Sequence, residues 1–470
     1  MRHTRLIAVL TCIALAAMLA LSNVAVAQTK GMIGINVVLK TDVTQAILTD
    51  LGTHGTVRDV VSEIKAVTLQ AKASELAAIQ VLPYVAAANP DAARSAGPVS
   101  TKAITDFSGG INTWDLDAIN VTNPPSTPST PVRTVDFDGT GVYVAVIDTG
   151  LVSNWSYYFP VDHIATQYAR CFGGGGGEMG FVSTQPNKWG LDQNSHGTHV
   201  TSTILGYNML DTAVNGVAPN ATVIPVKVLN QNGSGWSSVV AEGINYVADL
   251  KAGPLAAYPV VINMSLGGPD LDVMEKAAID NAISKGVIIV AAAGNEGAAG
   301  MGYPGAYAPV ISVAASGWVG EWTAKGWWHT LDVPDPTNPL DYYITEFSSR
   351  QLAGTDQDLD VAAPGSWCVG PYQKNGQISY YYLGGTSMAS PHVAGIVALM
   401  AQKDPALDAA TAETTLENSA IYLAPQPDPG DHSGGRSVFN PDGSKTTYWW
   451  GADATGAGLV DAVAALLATP

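Results

Sequence analysis

The chain has 470 residues, of which 13% are charged, and its 40 acidic side chains outnumber 22 basic ones. The formal net charge of −18 disfavours a nucleic-acid partner, because binding to phosphates needs clustered lysine and arginine. Beyond the N-terminal segment, no apolar run is long enough to cross a membrane. Length and composition therefore suit a large, soluble protein with a sizeable core.

The first 27 residues show the pattern of a secretory signal peptide. Arg2 and Arg5 give a positive start, an apolar run follows at 6–21, and small residues at 25–27 suit a cleavage site. Polar residues come directly after the run, which is also short for a membrane span. We therefore predict secretion, to the cell exterior or the periplasm, with removal of residues 1–27 and no membrane association afterwards.

Two of the three cysteines, Cys171 and Cys368, lie beyond the signal peptide. An oxidising compartment would permit a disulfide between them. Two separate buried thiols are the alternative, and the sequence gives no distance that decides between these arrangements.

Residues 28–92 alternate short strands with helices and predict a small α+β domain. The pattern predicts strands at 32–39, 66–71 and 84–87, a helix at 42–51 capped by Asp42, and a helix at 73–81. Residues 93–112 contain few large apolar side chains and are predicted to be a linker.

Three stretches place polar side chains at positions suited to catalysis. The apolar run 142–147, typical of a buried parallel strand, ends at Asp148, and open α/β sheets place their sites at such strand ends. His196 begins a helix of small residues, where a neighbouring glycine allows a substrate backbone to approach. Ser387 stands before an apolar helix at 389–400, at the helix end whose free N–H groups favour an anion. Taken alone, that serine could equally be an ordinary helix cap.

Apolar strands alternate with helices through the rest of the chain. This order predicts an α/β fold, with a mostly parallel sheet and helices on both of its faces. The predicted strands are 223–229, 260–266, 287–293, 310–314 and 359–363, and the predicted helices are 236–250 and 274–285.

These stretches closely resemble motifs of the subtilisin-like serine peptidases, the subtilase family. The matching residues are Asp148-Thr149-Gly150, His196-Gly197-Thr198-His199 and Gly385-Thr386-Ser387-Met388-Ala389, in the order Asp, His, Ser that subtilisin has. The resemblance covers about residues 114–462 and implies a subtilisin-like three-layer fold for a catalytic domain at 113–470. For residues 28–92 it implies an inhibitory propeptide, whose tail occupies the active cleft until cleavage within residues 93–112. A small independent N-terminal domain of the mature protein is the alternative.

The resemblance implies a secreted serine endopeptidase that hydrolyses peptide bonds and matures by propeptide removal. It makes Ser387 the nucleophile, His196 the general base and Asp148 the residue that orients the imidazole. Asn295, which matches the family's Gly-Asn motif, is the implied side-chain donor to the oxyanion. This chemistry requires no cofactor.

Substrates of this family add a strand to exposed edges of the enzyme. The matching edges are Ser265-Leu266-Gly267 and Ala292-Ala293-Gly294, whose small side chains leave room for a bulky P1 residue, the residue whose carbonyl is attacked. Our hypothesis is that Glu296 lies at the rim of the P1 pocket and helps the pocket to accept a basic residue.

Structural calcium is an expectation from the resemblance alone. The loop 206–216 falls where many subtilases bind the ion, and Asn208 and Asp211 offer the hard oxygen ligands that calcium prefers. A plain surface loop is the alternative, because the length and acids of this loop match the family poorly.

Expected partners are protein and peptide substrates and the chain's own propeptide as an intramolecular inhibitor, and we expect a monomer.

Other features fall outside the catalytic motifs. The glycine run 173–177, within an insertion at 155–187, is predicted to be mobile and to border the cleft. His199 and His392 are interpreted as helix-packing residues, with a His-x-x-His metal pair as the less favoured alternative for the first. A second insertion carries tryptophans for which burial is favoured over substrate contact: Trp318, Trp322, Trp327 and Trp328.

Two other functions are compatible with these motifs. A catalytically inactive, secreted binding scaffold could keep the same fold, and covalent labelling of Ser387 would separate it from an enzyme. A related acid-active serine-carboxyl peptidase would serve its serine with a glutamate, whereas this chain offers His196. The histidine favours activity near neutral pH that falls when the imidazole is protonated.

Overall fold

The structure is a computed structural model that describes residues 31–105, 107, 110–123, 132–174, 182–430 and 434–470. The predicted signal peptide and the last three glycines of the run at 173–177 lie outside the described residues. The chain forms two compact units, one ending at Asp91 and the other beginning at Ala92. Within the described residues, none of the helices combines the length and the apolar composition that a membrane span requires.

The first unit is a four-stranded antiparallel sheet covered by two helices. In sheet order the strands are Gly55–Val61, Ala66–Lys72, Met32–Leu39 and Val85–Pro90, and the helices are Gln45–His54 and Leu76–Gln80. The alternating strands bury one face against the helices, which gives this unit a core of its own. Its innermost side chains are fully buried: Ile35, Val37, Leu51, Leu69 and Ile79.

The first helix begins three residues later than the sequence predicted. Thr44, and not Asp42, is its N-cap, because the Thr44 hydroxyl accepts a hydrogen bond from the Ile47 N–H at 3.3 Å. Asp42 instead pairs with Lys65 at 3.0 Å. The predicted helix at 73–81 is divided into a 3-10 turn and a short α-helix, Leu76–Gln80.

The second unit is organised around a nine-stranded sheet, and the predicted α/β class is confirmed. Seven strands are parallel, and the strand at each end of the order runs antiparallel to its neighbour. The order is Ser183–Thr184, Arg170–Gly173, Thr222–Lys227, Tyr143–Asp148, Val260–Met264, Val287–Ala292, Ile311–Trp318 and Tyr342–Ile344, with Val361–Pro364 also beside Ile311–Trp318.

Helices cover this sheet in two contacting pairs. His196–Leu205 packs against Thr386–Lys403, and Ser237–Ala252 packs against Val273–Ser284. The helix that carries Ser387 is buried along nearly its whole length, as its apolar sequence predicted. Shorter helices complete the unit: Trp114–Ala118, Trp155–Tyr158, Trp327–Thr330, Ala409–Ser419 and Ala462–Ala468.

Residues 93–112, which were predicted to be a linker, contain two short strands. Ala93–Ser95 pairs antiparallel with the strand Ser234–Trp236, and Ser100–Ala103 joins an antiparallel sheet with Gln377–Gly384 and Cys368–Lys374. These strands use backbone groups rather than apolar side chains, which is why composition did not reveal them. Three further hairpins are Thr122–Asn123 with Val132–Arg133, Tyr207–Met209 with Thr212–Val214, and Arg436–Phe439 with Lys445–Tyr448.

The second insertion packs inward, as burial of its tryptophans predicted. Trp318, Trp327 and Trp328 are buried, and the Trp327 ring stacks on Tyr382 at 5.9 Å between centroids.

Cys171 and Cys368 are both buried free thiols, so the disulfide is absent and the alternative arrangement is the observed one. Burial raises the pKa of both thiols.

Candidate active site

Asp148 and His196 form a fully buried hydrogen-bonded pair at the carboxyl end of the central strand Tyr143–Asp148. The His196 Nδ1 lies 2.9 Å from Asp148 Oδ2 and 3.0 Å from Oδ1. The Nε2 atom of the same ring has no partner among the described residues. A carboxylate on Nδ1 fixes the tautomer that leaves Nε2 as a proton acceptor.

A second layer of hydrogen bonds holds this pair in place. The Thr149 N–H donates to Asp148 Oδ1 at 2.6 Å, and the Thr149 hydroxyl accepts from the Gly197 N–H at 2.9 Å. Asp192 accepts from the Thr149 hydroxyl at 2.7 Å and from the Ser195 N–H at 2.6 Å. Position 197 must be glycine, because a Cβ there would lie 2.5 Å from the Gly150 carbonyl oxygen.

Ser387 sits in the first turn of its helix, 3% exposed. Its hydroxyl donates to the Ser265 carbonyl at 3.1 Å, and the Ser265 hydroxyl donates back to the Ser387 carbonyl at 2.9 Å. Ser387 Oγ therefore faces Ser265 in this structure, and a hydrogen bond to His196 requires rotation of the serine side chain. The helices that carry His196 and Ser387 contact each other.

Asn295 is oriented by Thr386. Its Oδ1 accepts from both the Thr386 N–H and the Thr386 hydroxyl, each at 2.9 Å. Since a backbone N–H can only donate, the amide oxygen must face Thr386, which leaves the Nδ2 donor for other partners. Asn295 and Ser387 line the same cavity, so an amide donor and a hydroxyl share one space.

The chain's own residues 95–97 line this cavity together with Ser387 and Asn295. Ser95 and Gly267 exchange two backbone hydrogen bonds of 2.9 Å, and the Ala96 N–H donates to the Gly233 carbonyl at 2.8 Å. On the other side of the cavity, the Val99 N–H donates to the Gly384 carbonyl at 2.7 Å. The segment is thus held as an added strand on both sides of Ser387.

The antiparallel register identifies the residue nearest to the nucleophile. Ser95 pairs with Gly267 in an isolated antiparallel bridge, and extending that register by two residues would set Gly97 opposite Ser265. Ser265 is the residue whose carbonyl holds the Ser387 hydroxyl. A side chain at position 97 would meet no atom within 4 Å, so a larger residue has room there.

Most of the predicted edge residues surround the cavity. Leu266, Gly267, Ala292 and Gly294 line it, and so does Glu296, whose carboxylate accepts from the Ser349 hydroxyl at 3.0 Å. Two predicted residues are not among its lining: Ser265, which packs behind Ser387, and Ala293, whose carbonyl accepts from the Gly302 N–H at 2.8 Å.

The other two histidines of these helices are structural. His199 is buried, and its Nε2 lies 3.3 Å from the Cys368 carbonyl; burial and then the neighbouring His196 lower the pKa of His199 to about 3. His392 bridges the Met388 carbonyl at 2.8 Å and Asp115 Oδ2 at 3.0 Å. Both rings are buried and contact backbone carbonyls, in agreement with the packing role, although His199 Nδ1 has no hydrogen-bond partner among the described residues.

The proposed calcium loop folds as a tight hairpin between Tyr207–Met209 and Thr212–Val214. Asp211 lies in the turn with φ of 70°, and the Asn208 amide donates to the Tyr157 carbonyl at 3.3 Å. Within the described ranges, Asp211 belongs to no group of three or more acidic, histidine or cysteine ligands. Calcium here stays a prediction from the resemblance.

Sequence reasoning missed the residues that support the site. Thr386 and Thr149 lie inside the recognised motifs, so their hydroxyls could have been assigned a role from position alone. Asp192 carries no motif signal, because its contacts are made through a loop geometry that only the fold creates. Burial raises the pKa of Asp192, opposed by Lys227 at 3.5 Å.

Comparisons with known proteins show the family of the chain. Residues 139–451 match the sequence model of the Subtilase family. Subtilisin DY of Bacillus licheniformis is 34% identical over 296 residues, which cover 62% of this chain and 88% of that protein. Subtilisin E of Bacillus subtilis (strain 168) is 35% identical over 292 residues, which cover 61% of this chain and 62% of that protein.

Solved structures share the fold. The S41 psychrophilic protease is 27% identical with a TM-score of 0.53, covering 75% of this chain and 99% of its own. Fervidolysin from Fervidobacterium pennivorans, at 22% identity, shares the fold with a TM-score of 0.59, covering 93% of this chain and 61% of its own. The chain therefore belongs to the subtilase family of serine peptidases.

Proposed function

We propose that the chain is a secreted serine endopeptidase that uses Ser387, His196 and Asp148 as a catalytic triad. The observation that carries this proposal is the buried His196 ring, which is fixed by Asp148 through Nδ1 and unpartnered at Nε2 among the described residues. A ring held in this way is ready to accept a proton from a hydroxyl that rotates toward it.

In this mechanism the Ser387 hydroxyl leaves the Ser265 carbonyl and its oxygen attacks the scissile carbonyl carbon, while His196 Nε2 takes the hydroxyl proton. The negative charge that forms on the carbonyl oxygen is stabilised by Asn295 Nδ2 and by the Ser387 N–H. Collapse breaks the C–N bond, and His196 returns the proton to the leaving amine. Water then repeats the sequence and releases the acid product.

We further propose that residues 28–92 act as an intramolecular inhibitor and that residues 93–103 connect it through the cleft. The added strand at Ala93–Ser95 and the register that brings Gly97 beside Ser387 support processing at the Gly97–Pro98 bond. Residues 1–27 would direct export before this step. The mature enzyme would then begin at Pro98.

N-terminal sequencing of the secreted wild type and of Ser387→Ala tests the proposal. The expected wild-type sequence begins at Pro98, while Ser387→Ala stays joined to its N-terminal segment. A wild-type start outside residues 97–99 would refute the register. Identical processing of the two proteins would refute self-cleavage and would favour the alternative of an inactive binding scaffold.

Glu296 is proposed to favour a basic P1 residue, because its carboxylate lines the cavity beside Asn295. The test compares cleavage after Lys with cleavage after Leu in wild type and in Glu296→Gln. The variant should lose part of its relative rate after Lys, and an unchanged ratio would remove Glu296 from this role.

A further inference from the structure

Arg94 and Glu275 form an ion pair in which both side chains are fully buried. The Arg94 Nε lies 3.1 Å from Glu275 Oε1 and 3.2 Å from Oε2, and its Nη2 lies 2.5 Å from Oε2. Nη2 also donates to the Asp270 carbonyl at 2.9 Å. A planar guanidinium is therefore bound by both carboxylate oxygens and by a backbone oxygen, a geometry that an ammonium group cannot reproduce.

The strand register assigns Arg94 a fixed place relative to the nucleophile. Arg94 pairs with Gly235, Ser95 pairs with Gly267, and Gly97 falls opposite Ser265. If Gly97 is P1, Arg94 is P4, which is the third residue before P1 in the chain. A substrate bound as the same added strand would place its own P4 side chain in the pocket that Arg94 now fills.

The pocket is shaped for this side chain. Gly268 forms one wall, because a Cβ at that position would lie 2.8 Å from Arg94 Nη1 and 2.3 Å from the Ala93 carbonyl oxygen. Glu275 lies in the first turn of the helix Val273–Ser284, where its N–H donates to Asp272 at 3.2 Å. Any residue other than glycine at 268 would close the pocket.

Glu275 is a fully buried acid, and an ionised carboxylate in that position is unfavourable unless a cation pairs with it. Burial raises the pKa of Glu275, and the charge and hydrogen bonds of Arg94 oppose that shift. Removing one partner of a buried pair leaves an uncompensated charge, which is strongly unfavourable. When residues 93–97 are released after processing, Glu275 loses this partner, and a cationic P4 side chain would take the place of Arg94.

We infer that Glu275 is a specificity residue that selects arginine at P4 in peptide substrates. This inference rests on the proposed peptidase function and adds a substrate class to it: chains with arginine three residues before the residue whose carbonyl is attacked. Leucine at P4 fills the space without pairing the carboxylate, and glutamate at P4 adds a like charge.

Three p-nitroanilide peptides that differ only at P4 test the inference: Arg-Ser-Ala-Phe, Leu-Ser-Ala-Phe and Glu-Ser-Ala-Phe. For the mature wild-type enzyme, kcat/KM should be about tenfold or more higher for the arginine peptide than for the leucine peptide, and lowest for the glutamate peptide. An arginine-to-leucine ratio of one or less in wild type overturns the inference.

Glu275→Gln should bring the arginine-to-leucine ratio close to one, because the shape is kept and the charge is removed. Asp249→Asn removes one surface acid that pairs with Lys285 and is the control, with the wild-type ratio expected. A wild-type ratio in Glu275→Gln would refute the role of that carboxylate. If wild type hydrolyses none of the peptides although it is folded, the peptidase proposal fails; hydrolysis without a P4 preference refutes the specificity inference alone.

Discussion

The two halves of the proposed active site, the acid–base half Asp148 with His196 and the nucleophile half Ser387 with Asn295, are built differently. Asp148 and His196 are fully buried, and Thr149 and a neighbouring loop fix them through several hydrogen bonds. Ser387 and Asn295 instead line a cavity that the chain's own residues enter. Asp148 and His196 are therefore fixed before substrate arrives. Ser387 and Asn295 keep their reactive atoms available to substrate, and Ser387 Oγ donates a hydrogen bond to the Ser265 carbonyl.

The largest expected effect comes from removing the base. His196→Ala should lower kcat by about 10⁶-fold, the scale known for the equivalent loss in subtilisin, because no other described group is positioned to take the hydroxyl proton. Asp148→Asn should lower kcat by about 10⁴-fold, since an amide stabilises the wrong tautomer. Turnover of a peptide p-nitroanilide measures kcat of both variants. Small and equal losses of kcat in the two variants would contradict a proton transfer that depends on the fixed Asp148–His196 pair.

Asn295→Ala probes the nucleophile half. We expect kcat to fall by about 10²- to 10³-fold with KM little changed, which is the scale known for this donor in subtilisin, because the amide acts on charge that develops only in the transition state. Steady-state kinetics separates the two constants. A rise in KM at constant kcat would show that Asn295 binds substrate and does not stabilise the oxyanion.

Thr386→Val sharpens the comparison within the nucleophile half. The variant loses the hydroxyl that bonds Asn295 Oδ1 but keeps the backbone N–H, so we expect kcat to fall by about tenfold or less. Thr386→Ser restores the hydroxyl and is the matched control, with activity near that of wild type. Equal activity of the valine and serine variants would show that the N–H alone orients the amide.

Glu321 is a buried acid that forms no salt bridge with any described residue, whereas Asp148 is hydrogen-bonded to His196. Burial raises the pKa of Glu321 to about 8, while its oxygens meet the Trp318 N–H and the Tyr343 and Ser366 hydroxyls. The unfolded chain releases this proton near pH 4.5 and the folded chain holds it to about pH 8, so stability falls as pH rises across that window.

Glu321→Gln removes this titration and should leave catalysis near wild type. Between pH 5 and 8, the free energy of unfolding of wild type should fall relative to that of the variant, by at most about 1.4 kcal/mol per pH unit. Urea unfolding at several pH values measures the difference. Parallel pH profiles of wild type and variant would refute a protonated Glu321 in the folded protein.

The parts of the fold that sequence predicted well are those encoded in side-chain pattern. Tyr143–Asp148 and Val287–Ala292 were recognised because parallel strands buried on both faces are continuous apolar runs. The strands at 93–103 were missed, since their pairing depends on backbone groups of distant residues such as Gly267 and Gly384. The hydrophobic periodicity of the segment itself does not indicate such pairing.

The same distinction holds within the site. Motifs predict Asp148, His196, Ser387 and Asn295 as site residues. They do not predict the hydrogen bond of the Ser387 hydroxyl, because that bond depends on the carbonyl of Ser265. Glu275 lies within the predicted helix 274–285, and no motif singles it out. Its pairing with Arg94 joins residues 181 positions apart, so only the folded chain shows it.

Covalent labelling by a fluorophosphonate, read by peptide mass spectrometry, tests the central claim most directly. We expect one adduct, on the Ser387 oxygen of the mature wild-type enzyme, and labelling slowed by several orders of magnitude in His196→Ala. An adduct at another residue, or equal labelling rates in folded wild type and His196→Ala, would contradict a serine nucleophile that His196 activates.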